Sequence, residues 1–231
     1  MYYGGMYHFS MILMIPAMIF AFYAQSKVKG TFNRFLQVRS MRGYTGAQVA
    51  RTILDRNGLR DVHIEHVRGY LSDHYDPRKK VVRLSSNVHN GTSIASISVA
   101  AHEVGHAIQH SKNYAPLTIR SQIAPVASIA SQVALPLAFL GFFLGRGGLA
   151  LIDLGIYIYI AAIAFHVITL PVEYNASSRA IKELTANGII YNEEVKSSKA
   201  VLNAAALTYV AAVAVSIGQL LRLLVLRNSR D

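Results

Sequence analysis

Apolar residues fall into four long runs along this chain, with a polar segment of mixed periodicity between the first run and the second. The runs cover residues 9–23, 123–144, 149–172 and 201–226. About 20 apolar residues cross a bilayer as a helix. The first run is short for this but extends through Tyr7 and Ala24. Only "GRGG", Gly145 to Gly148, separates the middle two, so they are expected to form a tight hairpin. Between the first and second runs, "YTGAQVARTILDRNGL" has the spacing of an amphipathic helix, with Thr45 and Gln48 as a capping box and Asn57 and Gly58 as its stop. "DVHIEHV" then alternates through Val62, Ile64 and Val67, a strand pattern. A turn at Asp76 and Pro77 leads into a second strand over residues 81–84, and Thr92 or Ser93 caps a helix ending near His110. The pattern therefore predicts a mainly α integral membrane protein with about four transmembrane helices and a small α+β unit.

The expected division of the chain is an anchor over 1–25, a catalytic unit over 26–120, a transmembrane hairpin over 121–172, a helix over 173–199 and a last transmembrane helix over 200–231. Composition agrees with membrane spans: hydrophobic residues make up 52% and charged ones 15%, too oily for an ordinary soluble domain. The formal charge of +11 raises nucleic acid as a partner. Much of the basic excess, however, sits at Lys27, Lys29, Arg34, Arg39 and Arg42, directly after the first run and not interleaved with aromatics. That is the positive flank of a membrane span, and it puts the following segment in the cytoplasm. The partners expected are a lipid bilayer and a peptide or protein, with no nucleic acid, and the localisation is a multi-pass protein of the cell membrane. Arg222, Arg227 and Arg230 then lie outside, against the rule. No Lys or Arg precedes the first run and no small-x-small site follows it, so it reads as a retained anchor and not a cleaved signal.

Chemistry concentrates in "AAHEVGHAIQH". Positions i and i+4 lie on one face of a helix, so His102 and His106 point two imidazoles at one ion, with Glu103 beside the same spot. His, Glu and His are costly on an apolar helix unless paired or bound to metal. The chain has no cysteine, so any metal is held by His and carboxylate. The other histidines, His63, His66, His74, His89 and His110, lack comparable spacing to a carboxylate. A catalytic zinc takes three protein ligands. Glu173 stands out for the third place, because it follows Pro171 at the end of an apolar run that the hairpin returns to the side of His102 and His106. The competing reading of Glu173 is a salt bridge to Arg179 or an interfacial charge. Residues 81–84 are either a strand edge that receives an extended substrate or plain core.

The runs "GYLSDHYDPRKKVVRLS", "SVAAHEVGHAIQH", "PVEYNASSRA" and "AAALTYVAA" together resemble the YugP-like membrane zinc metallopeptidases, over nearly the whole chain. That family is similar, more distantly, to the HtpX-like and prenyl-protein membrane peptidases, in which a glutamate on a later helix completes the site. The resemblance implies a gluzincin-type catalytic unit with one Zn2+ per chain held by His102, His106 and Glu173. It makes Glu103 the general base of a zinc-dependent endopeptidase working on the cytoplasmic face. The distant relatives carry an aspartate four residues after the liganding glutamate. Here that position is Ser177, whose hydroxyl can hydrogen-bond a ligand imidazole but brings no charge. Tyr174, Arg179 and His110 are the candidates to stabilise the oxyanion. Two rivals stand beside this reading. An intramembrane protease needs the His pair within a span and an aspartate ligand, but residues 94–108 are too short to cross and Asp153 lies near the hairpin's outer end. A non-enzymatic membrane scaffold or chaperone partner with a structural zinc has no need of Glu103.

Overall fold

The computed structural model describes residues 11–228. Tyr7 and Phe9 at the start of the first apolar run, and Arg230 at the far end, lie outside the described residues. The chain divides into two compact units. One comprises Ser26–Thr118 and Pro171–Leu207, and the other holds the long apolar stretches Ile119–Leu170 and 208–228 together with residues up to Gln25.

In the polar unit the elements follow from local sequence. Helix α1 (Ile15–Leu36) enters it at Ser26. Helix α2 (Gly46–Arg56) starts at Thr45, whose side chain accepts from the Gln48 N–H while the Gln48 side chain accepts from the Thr45 N–H. Its apolar stripe buries Val49, Ala50, Ile53 and Leu54, and Gly58 takes the positive φ of 73° that ends it. Three strands follow: β1 (His63–Val67), β2 (His74–Asp76) and β3 (Val81–Ser85). Their order is β1-β3-β2, with β1 parallel to β3 and β2 antiparallel to it. Residues 81–84 are thus the buried centre of the sheet, which decides between the two readings of that strand in favour of core. The edges are β1 and β2, the latter a strand absent from the periodicity because it has only three residues. Asp73 anchors it, accepting from both the N–H and the hydroxyl of Ser85, and the Asp76 carboxylate caps the turn by accepting from the N–H groups of Arg78 and Lys79.

A short helix α3 (Ser86–His89) leads to α4 (Ile94–Ser111), capped by the Ser93 hydroxyl accepting from the Ser96 N–H. This helix is buried almost all round, as its run of small and apolar residues requires. The core of the unit gathers Ile53, Leu54, Val82, Leu84, Ile94, Ile97 and Leu184 around it.

The apolar unit is built from α5 (Ala115–Phe143), a 3-10 turn (Gly145–Gly148), and the first part of α6 (Leu149–Ala186), together with the last part of α7 (Asn192–Asn228). The hairpin packs on small residues: a Cβ at Gly155 would lie 2.8 Å from the Ala134 carbonyl oxygen. Among the described residues three helices, α5, α6 and α7, are long and apolar enough to cross a membrane. The basic residues near the end of the chain have partners inside this unit. Arg227 donates to Asp153 at 3.0 Å, and the Arg222 guanidinium lies 6.0 Å from the Phe139 ring centroid.

Two of the expected boundaries fall inside continuous helices. Helix α6 runs unbroken through Pro171 and Glu173, and α7 runs unbroken from Asn192 into the last apolar run. Pro171 removes one rung of the i to i−4 ladder, and the helix continues past it without that bond.

Candidate metal centre

His102 and His106 lie one turn apart on α4, with ring centroids 4.8 Å apart and planes near perpendicular at 85°. From α6, Glu173 brings a carboxylate oxygen 3.3 Å from His102 Nε2 and 3.6 Å from His106 Nε2. One donor atom from each of the three residues falls within 4.8 Å of the others. Two donors about 2.0–2.2 Å from a tetrahedral zinc stand roughly 3.3 Å apart, so the spacing and the N, N, O donor set both fit that ion. The three side chains are little exposed, Glu173 least at 2%.

Each imidazole is oriented by its far nitrogen. His102 Nδ1 lies 3.2 Å from the Ser177 hydroxyl, which serves equally as donor or acceptor. His106 Nδ1 lies 3.0 Å from Oε1 of Gln109, a fully buried side chain. The Gln109 amide has one orientation only: its Nε2 donates to the Val172 carbonyl at 2.8 Å and to Asn175 Oδ1 at 3.0 Å. Oε1 therefore accepts, Nδ1 of His106 carries the proton, and Nε2 keeps its lone pair for an ion. Asn175 is held in turn by Arg179, whose Nε donates to the same Oδ1 at 2.7 Å. Gln109 and Asn175 are absent from the sequence reading. Their signal was available: a polar side chain three residues after His106 in an apolar helix, and another two residues after Glu173.

What lets the helices meet is Gly105, between the histidines. A Cβ there would lie 2.6 Å from the Ala176 carbonyl oxygen, so only glycine admits α6 this close to α4.

Glu103 is buried on α4. Burial is the main cause that pushes its carboxyl up to about 7, with the Glu173 and Asp73 carboxylates adding to the rise, while His102 and the Tyr75 backbone N–H pull the other way. A carboxyl poised there suits proton transfer near neutrality. The three oxyanion candidates fare differently. Arg179 is engaged by Asn175, Tyr174 is half exposed, and His110 Nδ1 lies 2.9 Å from the Tyr75 hydroxyl, which burial pushes up to about 12. The salt bridge weighed for Glu173 gives way to this arrangement, in which Arg179 donates to an amide oxygen.

A buried His-Glu-x-x-His helix closed by a glutamate from a later helix is the donor arrangement of a zinc peptidase. Over residues 10–228 the chain matches, and belongs to, the family described as "Putative neutral zinc metallopeptidase". It is 53% identical over 220 residues to "Putative membrane protease YugP" of Bacillus subtilis (strain 168), covering 95% of this chain and 97% of that one. No solved structure matches it.

Proposed function

We propose that this protein is a membrane-embedded zinc endopeptidase. His102 Nε2, His106 Nε2 and a Glu173 carboxylate oxygen hold the ion, and the observation that carries the reading is the convergence of these donors within 4.8 Å. Bound zinc supplies Lewis acidity toward a peptide carbonyl and lowers the pKa of a water. Glu103 takes the proton of the attacking water and delivers it to the leaving amine, a role its buried carboxyl near 7 supports. Gln109 and Ser177 keep the imidazoles aimed.

An extended substrate adds to β2, an edge strand of the sheet beside the helix that carries Glu103. His110, partnered by Tyr75, is the side chain best suited among the three candidates to meet the oxyanion from the same edge. The apolar part of α1, running on from residues 11–14, supplies a fourth crossing beside α5, α6 and α7. Lys27, Lys29, Arg34, Arg39 and Arg42 keep the gluzincin-type catalytic unit in the cytoplasm.

The test is Glu103→Gln, which keeps the shape of the side chain and cannot accept the proton. Zinc content should remain at about one per chain as a three-ligand site implies, while hydrolysis of a denatured protein substrate falls by about a hundredfold or more. A wild type without hydrolysis, together with a Glu103→Gln variant that restores the phenotype of a deletion strain, would establish the scaffold reading instead. Reporter fusions between Lys27 and Gln37 and at Gly147 test the orientation, with cytoplasmic signal expected only at the first.

A further inference from the structure

Away from the metal centre, the cytoplasmic part of α1 and the first turns of α7 enclose a groove of about 590 Å³. From α1 it takes Lys27, Thr31 and Arg34, spaced i, i+4, i+7 on one face, and from α7 it takes Lys196, Ala200 and Asn203 at the matching spacing, with Leu207 a turn further on. Three cations line it and no carboxylate does. All three are exposed, and among the described residues none has an acidic partner. A neighbouring cavity of about 360 Å³ shares Asn203 and adds Lys182 and Lys199, again with no acid. Such an arrangement of like charges repels itself unless an anion occupies it.

The place of the groove along its two helices says which anion. Lys27 follows directly on the stretch of α1 where Ile15, Ile19 and Phe22 are 50%, 63% and 69% exposed, an apolar surface that water does not favour. On α7 the groove runs from Lys196, five residues before the apolar run of 201–226, to Leu207 within it. The groove therefore opens at the end of the hydrocarbon-facing turns and extends outward by about 10 Å from Lys27 to Arg34. A headgroup layer is roughly 5–8 Å deep on each side of the bilayer, so Lys27 sits at the depth of lipid phosphates and Arg34 just beyond them. We propose that this groove is a binding site for the phosphate headgroup of an anionic phospholipid. The headgroup lies between Lys27, Arg34 and Lys196. The proposal rests on the membrane reading of the apolar helices and is independent of the peptidase chemistry.

The experiment uses the full chain purified in a zwitterionic detergent, titrated with short-chain phosphatidylglycerol and followed by native mass spectrometry. One lipid per chain is expected to be retained by the wild type. Lys27→Gln/Arg34→Gln/Lys196→Gln should bind it about a hundredfold more weakly, given what each basic residue contributes near an anionic surface. Should that variant fail to fold by circular dichroism, the three single substitutions are each expected to weaken binding about fivefold. Arg78→Gln/Lys79→Gln/Lys112→Gln changes the net charge equally at other exposed positions and should bind within about twofold of the wild type, as localised binding requires. Equal weakening in this control would reduce the effect to net charge and overturn the site. Inorganic phosphate binding as tightly as the lipid would overturn the lipid assignment in favour of a soluble anion. Phosphatidylcholine retained as well as phosphatidylglycerol would mean plain adsorption to the apolar turns, and also overturn it.

Discussion

Replacing Gly105 by alanine adds a single methyl group at the contact between α4 and α6. In the middle of a helix that exchange is ordinarily favourable by about 1 kcal/mol. Here the new carbon would sit 2.6 Å from the Ala176 carbonyl oxygen and 3.2 Å from the same residue's carbonyl carbon and Cα. The obstacle is helix backbone, so relief requires the helices to part by roughly 0.6–1 Å, short of the about 3.5 Å at which such atoms rest. Glu173 and Ser177 lie three residues before and one residue after Ala176, and they move with it. The 3.3 Å between Glu173 and His102 would then widen toward about 4 Å, beyond what a tetrahedral zinc spans. Overpacking of this kind costs about 1–3 kcal/mol. Metal binding, which draws the helices together again, should therefore weaken by about 5- to 150-fold. Competition against a chromophoric chelator measures that loss, and thermal unfolding of the metal-free protein measures the packing. Gly147→Ala, at a position with open space, is the control. A Gly105→Ala protein with a raised Tm and unchanged zinc affinity would refute the reasoning, because it would show the propensity gain without the clash.

Gln109→Met keeps volume but leaves the His106 Nδ1 proton without an acceptor, so zinc affinity should drop by about 10- to 100-fold. Side-chain nitrogen NMR of the metal-free protein should show His106 leaving the Nδ1–H tautomer, and an unchanged tautomer would count against the role given to Gln109. Glu173→Ala should lose zinc as fully as His102→Ala. Glu183→Ala removes only the acceptor for Asn57 and Asn187, costs about 1 kcal/mol and should keep the metal; the reverse order, read by metal analysis, would mean that the third donor is misassigned. The raised carboxyl of Glu103 has a pH consequence in the metal-free protein. Its folded state holds a proton that the unfolded chain releases near 4.5, so this stabilisation is present at low pH and lost as pH rises through about 7. Glu103→Gln should therefore gain stability relative to the wild type as pH climbs across that window, and parallel urea-unfolding profiles would exclude the shift.

Much of this fold is legible in local sequence because its signals are short-range. The Thr45 to Gln48 capping box, the Gly58 stop and the Ser93 cap each lie within a few residues of the helix end they specify. Alternation gives β1 and β3, but strand order is a long-range property. Nothing in "HYDP" announces that His74–Asp76 covers the flank of Val81–Ser85 and leaves the latter in the centre. For the site, His102 and His106 are visible because helical geometry alone brings them together. Gln109 and Asn175 leave only the weaker signal of a polar side chain near a ligand, because buried amides have no spacing rule, and only the contact across two helices shows that their hydrogen bonds close on one another. The uninterrupted course of α6 past Pro171 was likewise hidden, since a proline reads as a boundary until packing holds the helix through it.

The distance in sequence between the two halves of the metal centre sets a clock on its manufacture. Glu173 is translated 71 residues after His102, with all of α5 and the apolar part of α6 in between. At about 5–20 residues per second, that interval lasts roughly 4–14 s. Throughout it the nascent chain displays a pair of histidines without Glu173, the third donor of the proposed site. On the proposed function, a cell synthesising this protein would be spared a half-built protease at the ribosome: hydrolytic competence would begin only after the long apolar segments have been produced.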